Sequence, residues 1–435
     1  MNKPLKGPAA FPGVRHIPYM GVINVVAEAA RLGFRNGHPD WSNMGQGQPE
    51  IGPLPGAPER LSSIALDPFD AAYGPINGID DLREAIAAKY NRLFRQGMKS
   101  QYTAENVSIA GGGRLMLTRI FAIVDAVPIG YQTPDYTAYE EMLDYHRHRF
   151  LPVHIPAEEQ DGWKIPPARL SREVAAHGLG AFVLSNPCNP TGQVIEGLAL
   201  AAYIRVFREA NCLFIADEFY SHYIYKPDGT LKTNAVSSAH YVKDVNCDPV
   251  IIIDGLTKNL RYPGIRLGWA VGPRDVIDAI GRAASAIDGG PSLAAQRFAI
   301  QALEEVRFDQ ETAAVRHAFS AKRSKMLEVL TRVGVRFGDP GQSTFYLWGD
   351  VSALPKGLND GESLFRASLQ ERVMLVPGAY FDVNPAKGRR GPSRLANWVR
   401  FSFGPPMSNM VAGLERLEAL IERGGRAVGS HDCGL

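Results

Sequence analysis

Short apolar runs alternate with helix-like segments between residues 107 and 290 of the chain. The apolar runs lie at 107–110, 127–130, 151–155, 181–185, 213–217, 250–254 and 267–271. Several are separated by stretches with an apolar residue every three or four positions, which is typical of amphipathic helices, at 114–125, 135–147, 196–210 and 274–287. Strands that alternate with helices predict a three-layer α/β fold, in which helices cover both faces of a mostly parallel sheet. Ligands of such sheets bind beyond the carboxyl ends of the strands.

The pattern changes on both sides of this region, which predicts a second, smaller domain. Residues 1–20 are rich in Pro and Gly and predict an extended arm, which a helix at 21–33 follows. After residue 294 a long helical region leads to strands near 345–348, 374–378 and 399–404, and to helices near 361–371 and 409–422. We therefore expect an arm and part of the small domain at 1–45, a large domain at 46–305, a small α+β domain at 306–424 and a disordered tail at 425–435.

Composition narrows the class of protein. The chain has 435 residues, of which 45% are apolar and 21% charged, and its net charge is +2. These values are typical of soluble globular proteins. The sequence has no long basic run, which argues against nucleic acid or a membrane as the main partner. The N-terminus lacks the apolar core of a signal peptide, so we expect a cytoplasmic protein. The four cysteines lie far apart without a CxxC motif, which predicts reduced thiols and no metal site; they are Cys188, Cys212, Cys247 and Cys433.

A glycine turn follows the first predicted strand. Gly111, Gly112 and Gly113 precede Arg114 and a helical segment. Free backbone N–H groups at a helix N-terminus after such a turn can bind a phosphate, although a tight turn without a ligand explains the glycines equally well. A dinucleotide fingerprint would require a third glycine where Met116 stands, so the sequence disfavours an NAD-dependent oxidoreductase.

Polar residues follow three later strands. The run 181–185 leads into the rigid segment NPCNPTG, which contains Asn189. The run 213–217 ends in Asp217, near Tyr220, and an aspartate at the edge of a buried strand needs a partner. Lys258 and Arg266 follow the run 250–254. Each of these features could be structural by itself, and most lysines are solvated.

Taken in order, these residues resemble a known family. Pyridoxal phosphate is held by such a set of groups: a phosphate-binding glycine turn, a rigid Asn, an Asp with a nearby Tyr, and then a Lys and an Arg. In these motifs the sequence resembles the fold-type I pyridoxal-phosphate enzymes of the class I/II aminotransferase family, over about residues 20–423. The resemblance implies an enzyme that uses pyridoxal 5′-phosphate and acts on amino acids.

The resemblance also implies roles for residues around the cofactor ring. Lys258 matches the lysine that forms the Schiff base, and Asp217 matches the aspartate that pairs with the pyridine nitrogen. Asn189 and Tyr220 match the pair that hydrogen-bonds the ring hydroxyl. Tyr136, in the segment TPDYTAY, resembles the aromatic residue that stacks on the ring.

Other matches concern the cofactor phosphate. Gly113 and Arg114 would offer backbone N–H groups, and Arg266 its guanidinium. Many family members have a phosphate-binding serine three residues before the lysine, where this chain has Gly255. Thr257 can still offer a hydroxyl, so we expect the cofactor to bind with its phosphate held less tightly or by another group.

The remaining matches concern the substrate and a second subunit. Arg400 matches the arginine that binds the substrate α-carboxylate, and Gly47 falls in the family's mobile segment that covers the substrate. Tyr73 resembles a tyrosine that reaches the phosphate of the other subunit, which implies a homodimer with shared active sites. Asp288 lies near a segment that in the family helps to line the side-chain pocket across the dimer. A carboxylate there would favour a cationic substrate, although a solvated loop acid is the simpler interpretation.

Transamination is the reaction that the resemblance favours. Lys258 would act as the general base at Cα, and an amino acid and a keto acid would exchange the amino group. The quinonoid reached on this path can also lead to β- or γ-elimination, replacement, cyclisation or oxidation, and fold and cofactor do not choose among them. A non-enzymatic pyridoxal-phosphate sensor domain of a regulator is disfavoured, because no basic helix-turn-helix precedes residue 20.

Overall fold

The structure, a computed structural model, describes Gly13, residues 21–225 and residues 235–429, with only the backbone of 426–429. Most of the predicted N-terminal arm and the last six residues of the predicted tail, Cys433 among them, lie outside these ranges. No helix within the described ranges is long and apolar enough to cross a membrane. The same ranges contain no group of three or more His, Cys, Asp or Glu side chains that could hold a metal ion.

The described strands, numbered in chain order, are β1 Ser42–Asn43, β2 Val107–Ala110, β3 Pro128–Thr133, β4 Leu151–Pro156, β5 Ala181–Ser185, β6 Leu213–Asp217, β7 Val250–Gly255, β8 Gly268–Val271, β9 Tyr346–Asp350, β10 Val373–Met374, β11 Val376–Pro377 and β12 Trp398–Ser402. The described α-helices are α1 Gly21–Arg31, α2 Asp80–Phe94, α3 Gly113–Ile123, α4 Ala138–His146, α5 Pro167–His177, α6 Gly197–Glu209, α7 Arg274–Ile287, α8 Leu293–Ala302, α9 Glu305–Arg332, α10 Gly361–Gln370 and α11 Met407–Gly429.

A seven-stranded sheet forms the centre of the described structure, in the order β2-β8-β7-β6-β5-β3-β4. Only β8 runs antiparallel to its neighbours in this sheet, β7 and β2. The other pairs are parallel. The carboxyl ends of β2, β3, β5, β6 and β7 therefore meet at one edge of the sheet, which confirms the predicted mostly parallel α/β architecture.

The central strands are apolar throughout because helices cover both faces of the sheet. Ile251, Ile252 and Ile253 of β7 are all fully buried, although they point alternately to opposite faces. The side chains on the two faces belong to different clusters, since Ile251 and Ile253 pack in one and Ile252 in the other. A continuous β-branched run in a parallel sheet is thus explained by burial on both sides.

A smaller sheet, β11-β12-β9, is antiparallel and lies in the C-terminal part of the chain. Strand β1, from the N-terminal part, pairs in parallel with β10. Residues before 46 therefore contact the C-terminal part of the chain. The pairing of Val376 with Arg400 places Arg400 on a central strand of this sheet.

Several elements differ from the sequence predictions. Helix α5 was not predicted, and it is marked by a proline at its first position and by Gly178 in the left-handed region at its end. The predicted strand at 374–378 is two short strands, β10 and β11. The long helical region divides at Leu303 and Glu304, where the Glu304 side chain caps α9. Helix α11 continues to Gly429, beyond its predicted end and into the predicted tail.

Candidate active site

A cavity of about 780 Å³ lies at the carboxyl edge of the large sheet. It brings together residues at or after the ends of five strands of the large sheet, residues of the Gln46–Gln48 segment and Arg400 of β12 in the small sheet. Most of the site residues predicted from sequence line it: Gly47, Gly113, Arg114, Tyr136, Asn189, Asp217, Tyr220, Thr257, Lys258, Arg266 and Arg400. Tyr73, Gly255 and Asp288 do not line it.

Lys258 follows strand β7 and reaches into the cavity. Its ammonium group donates a hydrogen bond to the carbonyl oxygen of Gly47. Burial, and then the positive charges of Arg400, Arg114 and Arg266, lower the pKa of Lys258 to about 7. A lysine with this pKa is partly neutral near pH 7, which is the form that can act as a nucleophile or as a general base.

Asp217 ends strand β6 and is 6% exposed. Its Oδ2 accepts a hydrogen bond of 2.9 Å from the hydroxyl of Tyr139. Burial raises the pKa of Asp217 to about 6, against the effect of that hydrogen bond. In the described residues no Lys, Arg or His forms an ion pair with this carboxylate, so it is a buried acid that a cationic group in the cavity would stabilise.

Arg400 is 1% exposed and lies on the cavity wall. Its Nη1 donates to Oδ1 of Asn189 at 2.8 Å, and its Nη2 donates to the carbonyl oxygen of Gly45. Nε has no hydrogen-bond partner, and no carboxylate of the described residues pairs with this guanidinium. A buried cation without an anionic partner is costly, so the arrangement is suited to an anion that enters the cavity.

The glycine turn after β2 forms the N-terminus of helix α3. Gly112 caps the helix with φ +99°, a conformation that residues with side chains rarely adopt. A Cβ atom on Gly112 would lie 2.4 Å from Nη2 of Arg266, and one on Gly113 would lie 2.4 Å from the ring of Phe219. The glycines thus allow a guanidinium to lie against a helix N-terminus, and both groups attract anions.

Tyr136 follows β3 and lines the cavity beside Arg114, the residue after the glycine turn. Its hydroxyl accepts a hydrogen bond of 3.0 Å from Nε of Arg114. Its ring meets that of Tyr139 edge to face, with 5.5 Å between the centroids. The Arg114 side chain therefore holds Tyr136, to which the family resemblance gives the stacking role. The resemblance gave Arg114 only a backbone role at the phosphate.

Gly255 is enclosed by the neighbouring strand. A Cβ atom there would lie 2.6 Å from the carbonyl oxygen of Leu267 and 2.8 Å from Cα of Gly268. Because residue 255 pairs with residue 268 in the sheet, these backbone atoms cannot move aside easily. The departure from the family pattern is therefore a packing requirement of this chain, while Thr257 lines the cavity.

Two predicted residues lie elsewhere in the described chain. The carboxylate of Asp288 makes a two-pronged ion pair with Arg119, with contacts of 2.9 and 2.5 Å. Since Arg119 is fully buried, Asp288 is not the solvated loop acid of the simpler interpretation, and it does not line the cavity of its own chain. Tyr73 is fully exposed and does not line the cavity of its own chain.

Some residues at the site were not predicted from the sequence. Tyr139 is the hydroxyl partner of Asp217, and Tyr346 is that of Tyr220. Ser185 lines the cavity, accepts the N–H of Asn189 at 3.2 Å and contacts the buried Asp135. The repeated tyrosine in TPDYTAY was a signal for Tyr139, whereas the position of Tyr346 depends on contacts between distant parts of the chain.

The fold and the cavity define a class of protein: a fold-type I transferase with a lysine at the end of a central strand. Residues 39–417 match the family described as Aminotransferase class I and II. The chain belongs to this family, whose members use pyridoxal phosphate, and it is an amino-acid aminotransferase, as the sequence predicted.

Curated relatives match over nearly their whole length. A probable aspartate/prephenate aminotransferase of Thermus aquaticus is 28% identical over 405 residues, which are 92% of this chain and 96% of the relative. An aspartate aminotransferase of Bacillus subtilis is 26% identical over 404 residues, which are 89% of this chain and 92% of the relative.

Solved structures confirm the fold class. An aspartate aminotransferase from Thermus thermophilus with maleate matches with a TM-score of 0.74 and 23% identity, over 93% of this chain and 97% of that one. An aminotransferase from Mycobacterium tuberculosis matches with a TM-score of 0.76 and 24% identity, over 94% of this chain and 97% of that one.

Proposed function

We propose that this chain binds pyridoxal phosphate through Lys258 and transfers the amino group of an α-amino acid to a keto acid. The observation that carries the proposal is that one cavity is lined by a reactive amine and by a buried cation that has no anionic partner. One is the amine of Lys258, whose pKa burial lowers to about 7, and the other is the guanidinium of Arg400, which is buried without an anionic partner. An aminotransferase needs both a reactive amine and a receptor for the substrate carboxylate.

Three further observations support this cofactor. The Asp217 carboxylate, buried without an ion pair, suits a protonated pyridine nitrogen. The turn at Gly112 and the guanidinium of Arg266 suit a phosphate. The hydroxyl of Tyr220 and the amide of Asn189 line the same cavity and suit the ring hydroxyl. When bound, the cofactor supplies an electron sink for the pair of electrons left at Cα after proton removal.

The protein's own groups would bind the substrate and move its proton. Arg400 would give up its hydrogen bond to the Gly45 carbonyl oxygen and bind the substrate carboxylate, which can accept two parallel hydrogen bonds. The amine of Lys258 would release the Gly47 carbonyl oxygen and take the Cα proton of the amino acid. It would return a proton to Cα when the keto acid becomes an amino acid. Both groups therefore hold backbone carbonyls in the positions that substrate atoms would occupy.

We also propose that the active form is a homodimer with shared sites. Support comes from three large apolar side chains that lie close together in the sequence and are strongly exposed: Leu66 at 58%, Phe69 at 85% and the fully exposed Tyr73. Large apolar groups that are this exposed are typical of surfaces that another chain covers. Tyr73 could then reach the phosphate region of the second subunit, since it does not line the cavity of its own.

The test of the dimer is complementation between an inactive variant and an impaired one. Lys258→Ala lacks the amine, and Tyr73→Ala lacks the tyrosine. If the sites are shared, a heterodimer of the two contains one site with both native groups, and co-expression restores up to half of the wild-type activity. Activity no higher than that of the Tyr73→Ala dimer would contradict shared sites.

The test of the reaction combines spectra with product analysis. Wild-type protein reconstituted with pyridoxal phosphate should show a visible band that Lys258→Ala lacks. Adding an α-amino acid alone should convert that band once, with one keto acid released per site, and turnover should then require a keto acid. Continued product formation without a keto acid would instead indicate elimination, replacement or oxidation. No band in the wild type would contradict the proposal.

A further inference from the structure

Tyr346 connects two groups that the proposed reaction uses. It is the first residue of β9, is 1% exposed and lines the cavity. Its hydroxyl lies 2.7 Å from the hydroxyl of Tyr220, and its ring lies 4.1 Å from the guanidinium carbon of Arg400. One side chain therefore contacts both the proposed partner of the cofactor hydroxyl and the proposed carboxylate receptor.

The hydroxyl pair has a defined direction once a cofactor is bound. Each tyrosine hydroxyl has one proton to donate. If Tyr220 donates its proton to the ring oxygen of the cofactor, it can only accept from Tyr346. Tyr346 must then be the donor in the 2.7 Å contact. A hydroxyl that accepts a hydrogen bond becomes a stronger donor, by roughly 10–30% per bond.

The ring has a separate effect on Arg400. A guanidinium over the face of an aromatic ring is attracted by the ring's quadrupole, and more strongly where water is excluded. Phe381 lies on the same guanidinium at 4.9 Å. Together with the hydrogen bond to Asn189, these rings restrict the guanidinium to one orientation, with its unpaired Nε left for a ligand.

We propose that Tyr346 is a positioning residue with two separable actions: its hydroxyl strengthens the donation of Tyr220 to the cofactor, and its ring orients Arg400 for the substrate carboxylate. The inference rests on the proposed function. Neither action requires Tyr346 to touch a reacting atom, so it acts through Tyr220 and Arg400.

The hydroxyl action predicts a pH effect with a definite sign. Tyr220 draws negative charge from the ring oxygen of the cofactor, and that oxygen helps to retain the proton on the nitrogen of Lys258. Without Tyr346 the oxygen becomes more negative, so the nitrogen keeps its proton to higher pH. The titratable and charged groups facing the tyrosine pair and Lys258 remain in place in the variant: Tyr136, Arg400, Arg114, Arg266 and Asp217.

The experiment separates hydroxyl from ring by two substitutions at one position. In Tyr346→Phe the pH midpoint of the bound cofactor's visible absorption should rise by about a few tenths of a unit, as expected when one hydrogen bond in a chain of two is lost. In Tyr346→Leu the midpoint should rise similarly, while KM for the amino acid should rise about tenfold, because a lost desolvated cation–π contact costs about 1–2 kcal/mol. The increase in KM should be smaller in Tyr346→Phe.

A double variant distinguishes this mechanism from a general disturbance of the site. Tyr220→Phe should raise the midpoint further than Tyr346→Phe, and adding Tyr346→Phe to Tyr220→Phe should produce no additional shift. Equal and additive shifts, or an unchanged midpoint in Tyr346→Phe, would overturn the inference. Tyr346→Phe retains the ring and the packing, so the test holds even if Tyr346→Leu fails to fold. A wild type without any visible band would instead overturn the proposed function.

Discussion

The carboxylate of Asp217 is held by the hydroxyl of Tyr139, 2.9 Å away, and both residues are buried. Tyr139 belongs to α4, the helix that begins just after Tyr136. The helix thus supplies one tyrosine beside the proposed ring position and another that orients the acid. Because burial raises the pKa of Asp217 to about 6, this hydrogen bond helps to keep the carboxylate ionised.

Tyr139→Phe should weaken cofactor binding in a pH-dependent manner. Without the hydrogen bond, the pKa of Asp217 rises further, so a larger fraction of Asp217 is neutral just above pH 6. A hydrogen bond to a charged group contributes about 1.5–3 kcal/mol, which corresponds to a loss of roughly 10- to 100-fold in affinity. Titration of cofactor-free protein with pyridoxal phosphate should show a larger loss at pH 6.5 than at pH 8.5.

The control for this variant is Tyr102→Phe, which also removes a buried hydroxyl but lies outside the cavity. It should leave the affinity for pyridoxal phosphate near that of the wild type. An equal loss in both variants, or a loss in Tyr139→Phe that does not change with pH, would contradict the role given to Tyr139.

Local sequence signals were sufficient to predict the edge of the sheet at which the candidate site lies. Buried parallel strands are continuous apolar runs, so their ends are visible in the sequence, and the polar residues that follow them come together because the strands share a direction. Asp217 and Lys258 were found in this way. Parts of the site that depend on contacts between distant segments were not visible, since 126 positions separate Tyr220 from Tyr346.

Packing explains the other differences. The need for glycine at residue 255 arises from the carbonyl of Leu267 on the neighbouring strand, and no local pattern reports the distance between strands. The ion pair of Asp288 depends in the same way on Arg119 of another helix. A sequence pattern predicts which side chains are near a sheet edge, whereas the partner of each side chain is decided by tertiary structure.

Arg400→Lys should impair the use of amino acids more than it impairs cofactor binding. A lysine has no planar fork, so it cannot donate to Asn189 and to both carboxylate oxygens together. Disruption of a buried charged contact costs about 2–5 kcal/mol, so kcat/KM should fall by on the order of 10²-fold or more. Steady-state rates and the affinity for pyridoxal phosphate measure the two effects separately.

Arg372→Lys is the matched control for that substitution, because Arg372 forms an exposed ion pair with Asp40. Its kcat/KM should remain within about twofold of the wild type, as expected for a surface pair. If Arg400→Lys behaved like this control, Arg400 would not be the carboxylate receptor.

Lys258→Met should stabilise the cofactor-free protein most at low pH. The pKa of Lys258 is lowered from 10.5 to about 7 by burial. Between these values only the unfolded chain holds the proton, so the stability of the wild type rises with pH across this window. Below pH 7 the folded protein must hold a buried charge, and methionine removes that cost. The advantage of Lys258→Met in urea unfolding should therefore be larger at pH 6.5 than at pH 9.

Lys243→Met provides the comparison, since Lys243 is exposed. Its effect on the free energy of unfolding should be small and similar at both pH values. A stability difference for Lys258→Met that stays constant from pH 6.5 to pH 9 would mean that the Lys258 pKa is not lowered in the folded protein.

Gly255→Ser, which introduces the residue common in the family, should destabilise this protein. The new Cβ would lie 2.6 Å from the carbonyl oxygen of Leu267 and 3.0 Å from the ring of Phe219. Overpacking of this kind costs about 1–3 kcal/mol, and here the obstacle is backbone of the adjacent strand. Gly52→Ser is the control, because nothing lies within 4 Å of a Cβ at residue 52. Urea unfolding of both variants measures the difference. If Gly255→Ser kept its stability and bound pyridoxal phosphate more tightly, the glycine would be a lost phosphate contact and the enclosure by Leu267 would not be what excludes a serine.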